Sequence, residues 1–366
     1  MSRRSAHQIA AYALVSLVIL LVPTVFADAF LLNKFSRYLV FAMLAVALSL
    51  SWGYAGILNL GQATTFGIGS YCMAMALKLR TIPVHTGSEG LPDFMVWNNV
   101  TSLPWMWLPF QSMTFGVVAG IVVPAVFAAL LGWFMFGGRV TGVYAAIITL
   151  AVMVVVNLLI VDQQAYTGGF NGITDLARFE VAGITFDAYS ASTYYLVAGC
   201  LTASLFLALA VTKSKTGLVL QAIRDEENRV RFFGYDVTLY KTFVFAVSAA
   251  IAGLAGMLYT IVMEFASPTF ISVPLSLSVV IWVAVGGRQS LLGAMLGALL
   301  VTGVQGALSD SEAFVETWTL IMGALFVIVV LVLPRGLAGL VDAVSARFGR
   351  RADLARLEPS ETGGTP

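Results

Sequence analysis

Charge is scarce in this chain. Of its 366 residues only 11% are charged while 59% are apolar, against about 25% charged in a typical soluble domain. Too little polar surface is present to cover so large a core, which argues against a soluble enzyme. The formal net charge of +1, from 20 basic and 19 acidic side chains, excludes a basic nucleic-acid binder and an acidic disordered protein. Cysteine is nearly absent. Cys72 and Cys200 both fall in apolar stretches, so no disulfide framework is indicated. His7 and His85 are too few for a histidine-based metal centre. No lysine follows a glycine, so the phosphate loop that cradles ATP is missing.

What the chain has instead is long apolar runs. A spanning helix needs about 20 mainly apolar residues, and such stretches lie near 10–30, 38–52, 57–78, 113–136, 140–161, 191–211, 242–263, 291–308 and 317–333. A shorter one, 275–286, follows Pro274 and reads as a tilted short helix or a segment that turns back within protein. Counting it predicts an all-α polytopic membrane protein of about ten transmembrane helices with both termini cytoplasmic. Fifteen of the 20 basic residues then fall inside, as the positive-inside rule expects, whereas nine spans would put the C-terminal basic cluster outside. A signal peptide cleaved at Ala27-Asp28-Ala29 is the minor alternative, because its apolar core is overlong and its loss would leave nine spans.

The division expected is a membrane domain over 1–351 and a polar, disordered cytoplasmic tail over 352–366. External loops cover 80–112 and 162–190. Trp105 and Trp107 in the first read as interfacial anchors in contact with lipid. Span interiors are predicted to hold no charged side chain, which disfavours an ion-coupled carrier, since carriers place ionisable groups at membrane depth. Asp162 and Glu264 are expected at external helix ends. No histidine–carboxylate–nucleophile set is available for catalysis.

Charge concentrates in the cytoplasmic segment 212–241, which holds ten of the 39 charged residues. Ala222, Glu226, Val230 and Phe233 recur at helical spacing and Gly234 supplies a stop, so a single helix over 222–236 is predicted. Glu227 and Arg231 can pair at i, i+4. Phe232, Phe233 and Tyr235 exceed what a solvated loop needs, so the segment reads as a docking element.

The run Ala222-Ile223-Arg224-Asp225 through Gly234-Tyr235-Asp236, with Ser248-Ala249-Ala250-Ile251-Ala252-Gly253, resembles the coupling region of branched-chain amino-acid-type ABC permeases, the LivM-like family. Gly53-Tyr54-Ala55-Gly56-Ile57-Leu58-Asn59-Leu60-Gly61-Gln62, Gly168-Gly169-Phe170-Asn171-Gly172-Ile173-Thr174, Val285-Gly286-Gly287-Arg288 and Leu333-Pro334-Arg335-Gly336-Leu337 fit the same family, in order. Leu91-Pro92-Asp93-Phe94-Met95 and Arg229-Val230-Arg231-Phe232-Phe233-Gly234-Tyr235-Asp236 look most like its urea branch. Ser278 and Leu150 depart from that branch, where glutamate and glutamine are expected.

The resemblance implies a type II-like importer permease in the bacterial inner membrane. Its implied partners are a second permease subunit, two ATPase subunits that use ATP and Mg, and a periplasmic substrate-binding protein. This chain would carry no cofactor and would not be an enzyme. The implied solute is urea or a short amide. A branched-chain amino acid is the alternative, and its zwitterion would favour charged or dipolar partners near the entrance. An ATP-independent channel or carrier is the reading from another class. Candidate path residues are Asn59, Gln62, Thr64, Thr65, Thr149, Asn171 and Ser278, with Asn59 and Gln62 foremost. Candidate ATPase-coupling residues are Arg224, Asp225, Glu226, Arg229, Arg231, Phe232, Phe233 and Gly234, with the three arginines offered to partner carboxylates. The many glycines read mainly as close-packing positions.

Overall fold

The structure is a computed structural model that describes residues 3–81, 90–181, 183–309, 323–324, 336–337 and 339. The expected span at 317–333, the basic cluster from Arg335 and the tail at 352–366 lie mainly or wholly outside the described residues.

Helices dominate. Among the described residues nine long ones follow the expected spans: α1 Arg3–Val25, α2 Ala29–Ser49, α3 Gln62–Thr81, α4 Met113–Gly137, α5 Val143–Asp162, α6 Ala191–Lys213, then two short helices, α7 Lys215–Asp225 and α8 Glu227–Phe232, followed by α9 Val237–Met263, α10 Val273–Gly286 and α11 Leu291–Ser309. Among the described residues, seven helical segments are long and apolar enough to cross a membrane. The apolar part of α1, Ala10–Val25, is shorter, and α3 carries Gln62, Thr64, Thr65, Ser70, Lys78 and Arg80.

Several boundaries differ from expectation, and two of the shifts bring charge into a helix. α2 starts at Ala29, not 38, because the Asp28 carboxylate caps it by accepting from the N–H groups of Phe30 and Leu31. α9 starts at Val237, where Asp236 caps Leu239. Lys34, Arg37 and Lys241 therefore lie inside helices, correcting the charge-free reading of the spans. The stretch 275–286 is a helix beginning at Val273, and the preceding turn Pro268–Phe270 extends its apolar length to Pro268–Gly286.

α9 is the central pillar, packed against α2, α3 and α4, while α2 also meets α6, α10 and α11. Glycines set these approaches. A Cβ at Gly256 would strike the Phe66 carbonyl oxygen, one at Gly69 the Gly253 carbonyl, and one at Gly297 the Trp282 carbonyl. Phe66, Tyr259, Phe270 and Phe41 fill the seam with ring contacts of about 5 to 6 Å between centroids. The outward faces of α1, α4 and α5 expose Leu17, Val18, Val122, Val126, Val155 and Leu158, as suits contact with acyl chains or a partner helix.

One end of the bundle carries α7 and α8, the end expected from the sequence to be cytoplasmic. At the opposite end the loops fold on one another. The 162–190 segment contains a two-stranded antiparallel hairpin, β1 Phe179–Val181 and β2 Ile184–Phe186, with Phe179 opposite Phe186. Lys78 bridges to Asp93 at 2.9 Å and to the Thr174 carbonyl at 3.0 Å. The Trp107 indole N–H donates to the Tyr166 carbonyl at 3.0 Å, so this tryptophan ties two loops, while Trp105 is exposed. Gly306 lies beside Lys34 and Tyr38 near this opposite end, whereas Gly336 packs on Gly287 at the basic end.

Candidate functional site

The site starts where α2 stops being regular. Its last turn, Leu50–Tyr54, widens to a π-helix, a form common at functional positions. Gly53 then abuts the Arg288 carbonyl, and Gly56 reverses the chain at φ 73°, a left-handed conformation that glycine adopts without strain. The chain turns back into the bundle and restarts as α3 at Gln62. Gln62 meets Ser248, about 16 Å along α9 from Val237 at 1.5 Å per residue. α3 thus begins deep in the bundle, and its first N–H groups need partners there. They have them: Ala63 donates to the Ser276 hydroxyl at 3.1 Å and Thr64 to the Gly61 carbonyl at 2.9 Å.

Asn59 and Gln62 lock this break. The Asn59 amide donates to Gln62 Oε1 at 2.7 Å, and its Oδ1 accepts from the Gly61 N–H at 2.9 Å. The Gln62 amide donates to Ser248 Oγ at 3.3 Å, and Ser248 passes the chain on to the Ala47 carbonyl at 2.6 Å. Thr149 on α5 accepts from the Leu60 N–H at 3.1 Å. A buried network satisfied in this way fixes one loop geometry.

Beside the network is a small cavity. Asn59, Thr64, Thr65 and Thr149 supply its polar wall, and Phe127, Ala128, Leu131, Val152 and Phe245 its apolar wall. The free space is about that of one water molecule, so a larger solute passes only after the helices rearrange. Thr65 Oγ1 donates to the Gln62 carbonyl at 3.0 Å, but the buried Thr64 hydroxyl has no partner.

Of the seven path candidates, five meet here: Asn59, Gln62, Thr64, Thr65 and Thr149. Two do not. Asn171 is exposed in the turn Gly169–Asn171 at the opposite end. There Gly168 and Gly172 adopt positive φ and Ile173 pairs with Ala266, so that glycine-rich motif is a clasp between loops. Ser278 is half-buried and donates back to its own helix, to the Pro274 carbonyl at 2.8 Å. Ser276 faces inward instead, because two residues along a helix turn a side chain by about 200°. Ser248 and Ser276 were missed by the sequence reading. Their signal was a small polar residue within an otherwise apolar helix.

At the basic end, the single helix expected over 222–236 is two. The break falls at Glu226, φ −156° and ψ 87°. Three adjacent carboxylates, Asp225, Glu226 and Glu227, weaken a continuous helix there, and the break puts Glu227 in a first turn, where the helix dipole favours an anion. Ala222, Glu226 and Phe233 are exposed rather than forming a buried face with Val230. The actual anchor is a small apolar cluster of Ile223, Val230 and Val237, one from each of α7, α8 and α9. Arg231 pairs with Glu227 at 2.8 Å, as its spacing allows, and Lys241 of α9 also bonds Glu227. Burial alone would raise the Glu227 pKa, but the bonds from Lys241 and Arg231 outweigh it and hold the carboxyl below its ordinary value.

Two of the three arginines are therefore engaged within the chain. Arg231 serves Glu227. Arg224 donates from Nη1 to the Gly53 carbonyl at 2.8 Å and pairs with Asp225 at 2.8 Å, while its stem lies against Gly56. Only Arg229 of the three is exposed. Phe232 and Phe233 are 91% and 81% exposed, and Gly234 closes the element at φ 86°. Two adjacent bare phenylalanines thus form an exposed apolar patch at this end of the chain's helices.

The family model described as the permease component of branched-chain amino acid transport systems matches residues 30–330. The high-affinity branched-chain amino acid permease protein LivM of Salmonella typhimurium is 28% identical over 321 residues, covering 82% of this chain and 68% of the relative. LivM of Escherichia coli is 27% identical with the same coverage. LivH of Escherichia coli, a permease protein of the same kind of system, is 24% identical over 309 residues, covering 82% and 91%. No solved structure matches the chain. This chain belongs to the branched-chain amino acid transport permease family, as a LivM-like, multi-pass inner-membrane subunit of an ABC importer rather than an enzyme.

Proposed function

We propose that this permease subunit conducts branched-chain amino acids inward, paired with a second permease chain and powered by two ATPase chains, with a binding protein delivering the solute. The observation that carries the substrate is the two-sided cavity. Phe127, Leu131, Val152 and Phe245 offer an apolar wall for a branched side chain, and the threonines face them with hydroxyls. Urea has no apolar part to use such a wall. LivM and LivH relatives support the same class.

Urea or a short amide is the second reading. It is favoured by the absence of any charged residue among those lining the cavity and by the urea-like motifs. Uptake of labelled leucine, acetamide and urea by a strain lacking the gene, with and without complementation, separates the two. Restored leucine uptake supports the proposal, and restored urea uptake without leucine rejects it.

For coupling, we assign Phe232 and Phe233 to ATPase docking and Arg224 to transmission. The element carrying the phenylalanines is tied to α9 through Glu227 and Lys241, and to the loop before α3 through Arg224 and Gly53. A shift of α7 would pull on residues 53–61 and so on the polar wall of the cavity. The ten-span arrangement over 1–351, with cytoplasmic termini and tail, is part of the proposal. The basic-residue bias supports it, as does the return of Gly336 to the end where Gly287 lies.

A further inference from the structure

Far from α7 and α8, the start of α2, the turn before α6 and the end of α9 enclose a cleft of about 200 Å³. Two opposite charges line it, Arg37 and Glu264. Neither has an ion-pair partner among the described residues. Arg37 is about 12 Å along α2 from Ala29 at 1.5 Å per residue. Its Nε is buried and meets no acceptor. A buried guanidinium N–H without an acceptor is costly, and its position in the cleft points to a bound partner.

The rest of the cleft is firmly built. Asn33 donates to the carbonyls of Ala188 and Val262 at 2.9 and 3.0 Å, pinning the walls together. Glu264 caps α9 in the left-handed region at φ 57°, where the chain turns, and sits exposed at the rim. Phe30, Val262 and Met263 provide apolar surface between the charges.

We infer that this cleft receives a zwitterionic α-amino acid at the outer face. Its carboxylate lies on Arg37, its ammonium on Glu264, and its side chain along Phe30 and Met263. This deepens the proposed function and rests on the branched-chain amino acid reading. A phosphatidylethanolamine headgroup carries the same two charges. The exposed rim of Glu264 and Tyr189 at the helix ends favours a ligand arriving from water.

The test uses the assembled permease–ATPase complex without its binding protein, in nanodiscs of phosphatidylglycerol alone, and measures binding of labelled leucine. Saturable binding is expected, about tenfold weaker in Arg37→Gln and in Glu264→Gln, as for loss of a charge-assisted hydrogen bond. Arg37→Lys should largely retain it. Isoamylamine and 4-methylpentanoate, each with one of the two charges, should compete poorly. Absence of leucine binding to the wild-type complex overturns the assignment, as does equal binding by both charge-neutral variants. A phosphatidylethanolamine molecule that native mass spectrometry finds on the wild-type complex from cell membranes, and not on Arg37→Gln, also overturns it in favour of lipid. If Arg37→Gln does not assemble, Glu264→Gln at the exposed rim decides alone. Cells that import leucine through a complex that binds none refute the cleft and leave the transport reading standing. Import of urea alone refutes the transport reading itself.

Discussion

Replacing Arg224 by methionine isolates the proposed transmission contact. Methionine keeps an unbranched stem against Gly56 and removes the donor to the Gly53 carbonyl, 2.8 Å away. Hydrogen bonds to charged groups contribute about 1.5–3 kcal/mol. The Arg224 side chain is 24% exposed, so the lower end applies, about 1.5 kcal/mol, or about tenfold in the equilibrium that holds residues 53–61 to α7. The exposed pair with Asp225 adds little. In proteoliposomes holding the whole complex, solute moved per ATP should fall by up to about tenfold. The complex should still be recovered intact, since Phe232 and Phe233 are untouched. Wild-type stoichiometry in Arg224→Met would refute the transmission role. Loss of the ATPase from the purified complex would refute it as well, and would return Arg224 to docking.

Thr64→Val replaces an unpartnered buried hydroxyl by a methyl group of the same size, so stability should hold or rise. Uptake should nevertheless fall if the solute uses that hydroxyl, and thermal unfolding beside an uptake assay reads both. Gly256→Ala drives a Cβ into the Phe66 carbonyl oxygen, whereas Gly303 has open space. Alanine should cost about 1–3 kcal/mol at the first by overpacking and be tolerated at the second, measured as midpoint shifts in detergent. The Glu227 carboxyl is held below its ordinary value, so its contribution is present above about pH 4.3, the free glutamate value, and is lost as pH falls through the depressed one. Hydrogen-exchange protection of residues 227–232 should be flat from pH 6 to 8 and drop only in acid, while Glu227→Gln lowers it throughout. Protection that changes with pH between 6 and 8 would contradict that assignment.

Much of this architecture could be read from the chain because membrane burial writes long, regular signals. The apolar runs named every long helix among the described residues, and the glycine-rich pieces marked the sites where helices touch. Helix ends were harder to place. A hydropathy window could not register that Asp28 and Asp236 cap helices that carry Arg37 and Lys241 inward. Within the site, the segment Asn59–Thr65 stood out because polar residues cluster between apolar helices. Asn171 and Ser278 looked equivalent to them, but which way each pointed depended on a left-handed glycine turn and on a 200° rotation along α10. The Arg224–Gly53 contact joins residues 171 positions apart, and no local pattern encodes it.

The central claim is that a branched-chain amino acid passes the cavity beside the break at α3. Thr64→Cys, in a chain whose own Cys72 and Cys200 are replaced, makes that cavity reportable by a small membrane-permeant thiol reagent. In the working complex, with binding protein, ATP and Mg, turnover should open the cavity and raise the labelling rate. Saturating leucine should then slow labelling and urea should not. Labelling that neither turnover nor leucine alters, or that urea alone slows, would contradict the account.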